Sequence, residues 1–471
     1  MPEEIKKLKE QLFYKKRSVY EVRDAEQIEA AMRFAEDYAK FLDESKTERE
    51  AVAAGIRILK SKGFKPYKLG DNVKPGDKLY IDNRGKSLMA FVIGTEPLES
   101  GIRISAAHVD SPRLDLKQHT VYEDGGFGYL KTHYYGGIRK YQWTTIPLAL
   151  HGVVIRADGA SISVNIGEDE NDPVFCITDL LPHLAKDQAT KALDSAFSGE
   201  GLNILIGSRP YATKDEPFET KSPDERVKLA ILKTLYDKYG ITENDLISAE
   251  LSAVPAGKAR DIGLDRAMLG GYGQDDRVCA YPILMAVAEL EAPAHTAMCI
   301  FADKEEIGSE GNTGMKGRLL ADVISELSKT LGADEHIVRA SSVCLSADVA
   351  AGFDPLYPEV FEKNNSAICS CGVVLTKFTG SRGKSGTNDA SAETVARMRR
   401  IFDEAGIVWQ TAELGKVDQG GGGTVAMYIA NQNIDTIDLG VPVLSMHAPF
   451  EIISKVDLYE AYLAHLAFNK H

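Results

Sequence analysis

Residues 273–306 read GQDDRVCAYPILMAVAELEAPAHTAMCIFADKEE. An Asp275-Asp276 pair opens an apolar helix over 278–290, with Pro282 in its first turn or just beyond. After a short break an apolar strand, 296–302, runs toward Glu305 and Glu306. The same alternation continues outward to the end of the chain. Residues 341–347, 436–439 and 441–445 read as short apolar strands, and 390–405 and 458–468 as amphipathic helices. Strand–helix alternation of this kind predicts an α/β sandwich built on a mixed sheet with helices on both faces.

Upstream, Ile28, Met32, Ala35, Ala39 and Leu42 recur at helical spacing. Thr47 and Glu50 form a capping box for a second helix carrying Val52, Ile56 and Leu59, which Gly63 ends. Strands follow at 78–81 and 87–93, and a third, 102–107, leads into His108. From 119 to 254 the texture changes. Segments 146–156 and 161–166 flank Asp158-Gly159, a hairpin signal. Polar stretches at 167–173 and 211–225 read as loops, and 227–239 as a helix. The expected domains are therefore one built from 1–118 and 255–471, and a β-rich insertion over 119–254.

A chain of 471 residues exceeds the roughly 250–300 at which single cores stop growing, consistent with that division. The net charge of −14 argues against a nucleic-acid partner, so the KKLK and YKKR runs near the start read as solvated helix faces. No apolar run reaches the roughly 20 residues of a membrane span, and the charged beginning has no signal-like apolar core. The expected location is cytoplasmic, with no membrane partner. Six scattered cysteines in mostly apolar context read as reduced core thiols.

His108, Asp348 and His447 each follow a strand-like run, Glu305 and Glu306 lie just past another, and Asp275 precedes a helix. In open α/β sheets such positions collect at the carboxyl ends of the strands, where ligands bind. Taken singly, each has an ordinary explanation. A histidine after a strand is commonly a hydrogen-bonded structural residue, a Glu-Glu pair is commonly surface, and an Asp pair is a common N-cap. Jointly, two imidazoles and three carboxylates can hold two divalent ions about 3.5–4 Å apart, leaving one glutamate as a base. Asp110, two residues after His108, can accept the second imidazole N–H. Oxygen and imidazole ligands without thiolate suit zinc, cobalt or manganese.

The stretches SAAHVDSPRLDLK, YGGIRKYQW, GQDDRVCAY, ADKEEIGSEGNTG, LSADVA, GKSGTNDASAE, ELGKVDQGGGGT and MHAPFEIISK occur in this order across nearly the whole chain. On these the chain resembles the aspartyl aminopeptidase family of dinuclear metallo-aminopeptidases, its bacterial branch above all. The resemblance implies a metal-dependent aminopeptidase that removes N-terminal residues, acidic ones in the eukaryotic members, from short peptides. It makes Asp275, first of its pair, the bridging carboxylate. His108 and Asp348 complete one metal site, Glu306 and His447 the other. Glu305 becomes the general base and Asp110 the orienter of His108. It places His183 at a neighbouring subunit's active site and offers Lys384 as a substrate-binding cation. The glycine run 420–423 is explained by backbone lying close to substrate. The implied assembly is a homo-oligomer, dimers joined through the insertion into a tetrahedral dodecamer. Two other readings stand beside this one: a dinuclear-metal hydrolase of N-acyl amino acids or other small amides, and a catalytically silent structural subunit.

Overall fold

The computed structural model describes residues 3–214 and 225–471. Three sheets organise them. The largest has nine strands, in the order Lys65–Pro66, Lys78–Asn83, Ser87–Val92, Ala297–Ala302, Arg103–His108, Val343–Ser346, Asp435–Gly440, Val373–Thr376 and Trp409–Thr411. Its four central strands, Ala297–Ala302 to Asp435–Gly440, are parallel, and antiparallel strands flank them on each side. Ala302 pairs with His108 and Ser346 with Ala106, so the central strands end side by side.

These strands are continuous apolar runs because both faces are covered. In Ala297–Ala302, side chains alternate between two cores. Ala297, Cys299 and Phe301 enter the core formed with helices Ala25–Asp43, Glu48–Ser61, Gln274–Ala288, Ala392–Glu404 and Lys455–Lys470. Met298, Ile300 and Ala302 enter the core formed with Leu319–Leu331 and Glu335–Ser341. Ile104 and Phe301 are fully buried, and each such side chain contributes about 1.5–3 kcal/mol. The expected α/β sandwich with helices on both faces is what forms.

Local signals held in several places. Thr47 and Glu50 form the capping box of Glu48–Ser61, and Gly63 follows with φ +86°. The 146–166 hairpin forms as Leu148–Ile155 paired with Ser161–Ile166. The KKLK run lies on Glu3–Leu12, a helix with no buried residue. All six cysteines are free, but only Cys279, Cys299 and Cys344 are fully buried. Of the expected 211–225 loop, residues 215–224 lie outside the described residues. Among the described residues no helix is long and apolar enough to cross a membrane.

Two readings need correction. The YKKR run, residues 14–17, is not helical. Helix Lys455–Lys470 is not amphipathic. It is wedged between other helices and the main sheet, with Asp457, Glu460 and His465 buried. Each of these finds a partner: Asp457 accepts from the Ser370 and Gly372 amides, Glu460 takes the Arg23 guanidinium, and His465 meets the Ser105 hydroxyl. The 441–445 segment forms the expected strand as Pro442–Leu444, in a separate five-stranded sheet. The chain leaves the main sheet at Gly440, where a Cβ would sit 1.6 Å from the Asp348 carbonyl oxygen.

The remaining sheet is antiparallel and six-stranded, in the order Ser161–Ile166, Leu148–Ile155, Ala249–Pro255, Arg113–Asp124, Phe127–Tyr135 and Ile204–Gly207. Its central hairpin, Arg113–Asp124 with Phe127–Tyr135, escaped the sequence reading. A register shift between Leu116 and Val121 breaks the two-residue alternation that would have revealed it.

Candidate metal centre

His108 is the last residue of its strand and is buried. Its Nε2 lies 3.1 Å from Asp275 Oδ1. His447 Nε2 lies 3.2 Å from Asp275 Oδ2 and 3.4 Å from Glu306 Oε1. Asp275 thus stands between the two imidazoles. Its neighbour Asp276 turns away and accepts from the His108 amide. The backbone at Asp275 and Asp276 is not yet helical. That lets consecutive carboxylates point in different directions before the regular helix begins.

Ligand atoms of His108, Asp275 and Asp348 lie within 4.8 Å of one another, as do those of Asp275, Glu306 and His447. Asp348 follows two residues after the strand Val343–Ser346, next to the His108 strand. Glu305 and Glu306 begin a short 3-10 turn after Ala297–Ala302, entered through Lys304 at φ +66°. Glu305 belongs to neither ligand set, yet lines the same cavity.

Two buried carboxylates hold this arrangement from behind. Asp110 accepts from the backbone amides of both Glu305 and Glu306 at 3.1 Å. His108 Nδ1 is 3.0 Å from the Asp110 carbonyl oxygen and 3.3 Å from its carboxylate. Glu451 was not singled out from the sequence. It accepts from the amides of Asp275 and His447 at 3.2 and 2.7 Å. The only signal for it was its place in MHAPFEIISK, four residues after His447.

The electrostatics favour a divalent cation. Burial pushes the Glu305 carboxyl up to about 7. Burial also raises Glu306 and Asp348, and the neighbouring charges of Asp275 and Asp276 add to it. For Asp275 burial opposes the charge, but hydrogen bonding and attraction from His108 and His447 outweigh it and hold the carboxyl low. Glu306 Oε1 is buried with no hydrogen-bond partner among the described residues, and Asp275 Oδ1 meets only the His108 imidazole. Such oxygens cost free energy unless something cationic meets them. An oxygen–imidazole donor set without thiolate fits a borderline or hard divalent ion.

The cavity has a volume of about 250 Å³. Beyond the centre its walls include Val349, Thr376, Thr379, Leu414, Met446 and the backbone of residues 421–423. Gly421 has φ +87° and presses on Ser381, where a Cβ would come within 2.4 Å of Cα. Lys384 is not among the wall residues. Its ammonium sits 3.0 Å from Asp389 and over the Phe378 ring. His183 lies exposed on the turn Pro182–Leu184 and is not among them either.

A family model described as "Aminopeptidase I zinc metalloprotease (M18)" matches residues 41–469. The probable M18 family aminopeptidase 1 of Clostridium acetobutylicum is 48% identical over 453 residues, 94% of this chain and 96% of that protein. The crystal structure of an M18-family aminopeptidase from Thermotoga maritima superposes with a TM-score of 0.91 at 43% identity, covering 97% of this chain and all of that one. The S. cerevisiae mApe1 dodecamer shares the fold, with a TM-score of 0.75 at 24% identity over 94% of this chain and 97% of that one.

Proposed function

The chain belongs to the aminopeptidase I zinc metalloprotease (M18) family and is an aminopeptidase; from that premise we propose that two divalent ions share Asp275 and that Glu305 serves them as general base. His108 and Asp348 would hold one ion, Glu306 and His447 the other, zinc being the expected metal and cobalt or manganese able to replace it. The observation that carries this reading is the pair of ligand sets meeting at Asp275, with Glu305 outside both and facing the same cavity.

Bound there, the ions supply Lewis acidity that makes a water nucleophilic and steadies negative charge on the scissile carbonyl. The chain's own residues do the rest. Glu305 takes the proton of the attacking water and gives it to the leaving amine. Asp110 and Glu451 keep the glutamate turn, Asp275 and His447 in place through backbone hydrogen bonds.

The proposed substrates are short peptides, cut at the N-terminal residue. The acidic preference implied by the resemblance needs a cation near the substrate side chain. The described wall residues include no lysine or arginine, and Glu413 is among them. A cation for an acidic substrate would therefore come from beyond these walls, from a rearranged Lys384 or from a neighbouring subunit. The proposed assembly is a tetrahedral dodecamer built from dimers, with His183 reaching across a subunit boundary. Its support is the exposed apolar residues Val174, Leu180, Leu181, Leu184 and Leu193 in the stretch of chain that carries His183, and the open edges of the six-stranded sheet. The proposed division into 1–118 with 255–471, and 119–254, and a cytoplasmic location complete the reading.

The test is a panel of aminoacyl anilides and N-acyl amino acids, run on protein stripped of metal and reloaded with zinc, cobalt or manganese. Hydrolysis of the anilides returning only with metal supports the proposal. Hydrolysis confined to N-acyl amino acids, or unchanged after stripping, would overturn it.

A further inference from the structure

The motif YGGIRKYQW, beginning at Tyr135, has no part in the ligand set. Tyr135 ends the Phe127–Tyr135 strand of the six-stranded sheet. Its hydroxyl donates to Asp110 Oδ2 at 2.8 Å. The Arg113 guanidinium lies over its ring, 4.0 Å from the centroid, and is itself tied to Glu48 and Asp115. Asp110 is the carboxylate that holds His108 and the amides of Glu305 and Glu306.

The next two residues reach the other side of the centre. The Gly137 carbonyl oxygen lies 2.8 Å from His447 Nδ1. A carbonyl only accepts, so the hydrogen sits on Nδ1. Nε2 is then the atom turned toward Asp275 and Glu306, free to ligate a metal once the ring is neutral. The two glycines are what allow this approach. Gly136 has φ +74°, and a Cβ there would come within 3.2 Å of Glu306. A Cβ on Gly137 would come within 3.3 Å of His447 Nδ1.

We infer that the Tyr135-Gly136-Gly137 segment is a positioning element through which the six-stranded sheet orients both sides of the metal centre, Tyr135 by way of Asp110 and Gly137 by way of His447. The inference rests on the proposed metal-centre reading. It gives the second sheet a role in catalysis that is separate from subunit contact.

The experiment uses the full-length chain stripped of metal and titrated with cobalt, read by calorimetry and by the visible spectrum of the bound ion. Tyr135→Phe removes one hydroxyl without changing the ring. It should weaken cobalt binding by about ten- to a hundredfold, shift the spectrum, and lower kcat with KM little changed. Gly137→Ala should weaken one ion more than the other. Tyr129→Phe on the same strand serves as the control and should leave all readouts unchanged. A Tyr135→Phe protein whose cobalt affinity, spectrum and kcat all match the parent overturns the inference. A parent that takes up no cobalt at all would overturn the metal-centre reading beneath it. Should Gly137→Ala fail to fold, the isosteric Tyr135→Phe still decides.

Discussion

The two halves of the proposed centre are built differently. His108 sits on a central parallel strand with a neighbour paired on each side, and its side chain is 2% exposed. Asp348 leaves the adjacent strand within two residues. The other half stands on turns. Glu306 follows Lys304 at φ +66°, and His447 itself has φ +63°, with a side chain 33% exposed. Left-handed conformations at non-glycine residues cost on the order of 1–3 kcal/mol and persist only where surroundings over-determine them. Here the surroundings are Asp110, Glu451 and the Gly137 carbonyl. One half takes its geometry from sheet register, the other from buried hydrogen bonds supplied by distant segments.

The largest effect is expected where the halves meet. Asp275→Ala should lose both ions and bring activity to background, as read by metal analysis of the purified protein. Retention of two ions would dissolve the link between the halves and move the bridge elsewhere. Glu305→Gln comes next. It should keep both ions and the fold but lower kcat by about 10²–10⁴-fold, the usual cost of a missing general base. Near-parental turnover would remove Glu305 from the chemistry.

Comparing His108→Ala with His447→Ala probes the contrast directly. His108→Ala leaves buried carboxylates without their imidazole partner, a loss of about 1–3 kcal/mol in the metal-free chain. His447→Ala, on the exposed turn, should lose one ion with a smaller drop in Tm. Equal drops in thermal unfolding of the two stripped proteins would erase the distinction.

A smaller, pH-dependent effect is expected where the six-stranded sheet meets helix Glu48–Ser61. His151 of Leu148–Ile155 touches Glu50 and Glu168, with Lys46 close to Glu168. Burial opposes its charge, but Glu168 and Glu50 outweigh that and raise the imidazole. A raised folded value means the contribution is fully present below about pH 6.5 and is lost as pH rises through the folded value. Chemical denaturation should therefore show stability declining above that pH, with a shallower slope in His151→Gln; identical slopes would exclude the contact as a source. Smallest of all is Lys384→Ala. With its ammonium on Asp389, kcat/KM should change by less than about threefold on acidic and neutral substrates alike. A tenfold loss on acidic substrates alone, about 1.4 kcal/mol, would return Lys384 to the substrate pocket.

Much of the first half was legible in the sequence for a physical reason. Parallel strands buried on both faces must be apolar throughout, so a His or Asp directly after one stands out. The Thr47 capping box and the Asp158-Gly159 turn were equally local. The Arg113–Asp124 hairpin was hidden because a bulge destroys the alternation that marks a strand. Helix Lys455–Lys470 was misread because its polar residues resemble a solvated face, whereas their partners lie far away in sequence.

The amino-acid sequence by itself determined the α/β class, the order of the chemistry-bearing residues and the family. Each depends on short-range patterns or on motifs read along the chain. Tertiary structure alone decided that Glu451 holds Asp275 and His447 from behind, and that Tyr135 and Gly137 reach the centre from another sheet. Each of those depends on the direction of a side chain or carbonyl across contacts between segments far apart in sequence. No local propensity encodes such directions; the packing of the finished sheets sets them.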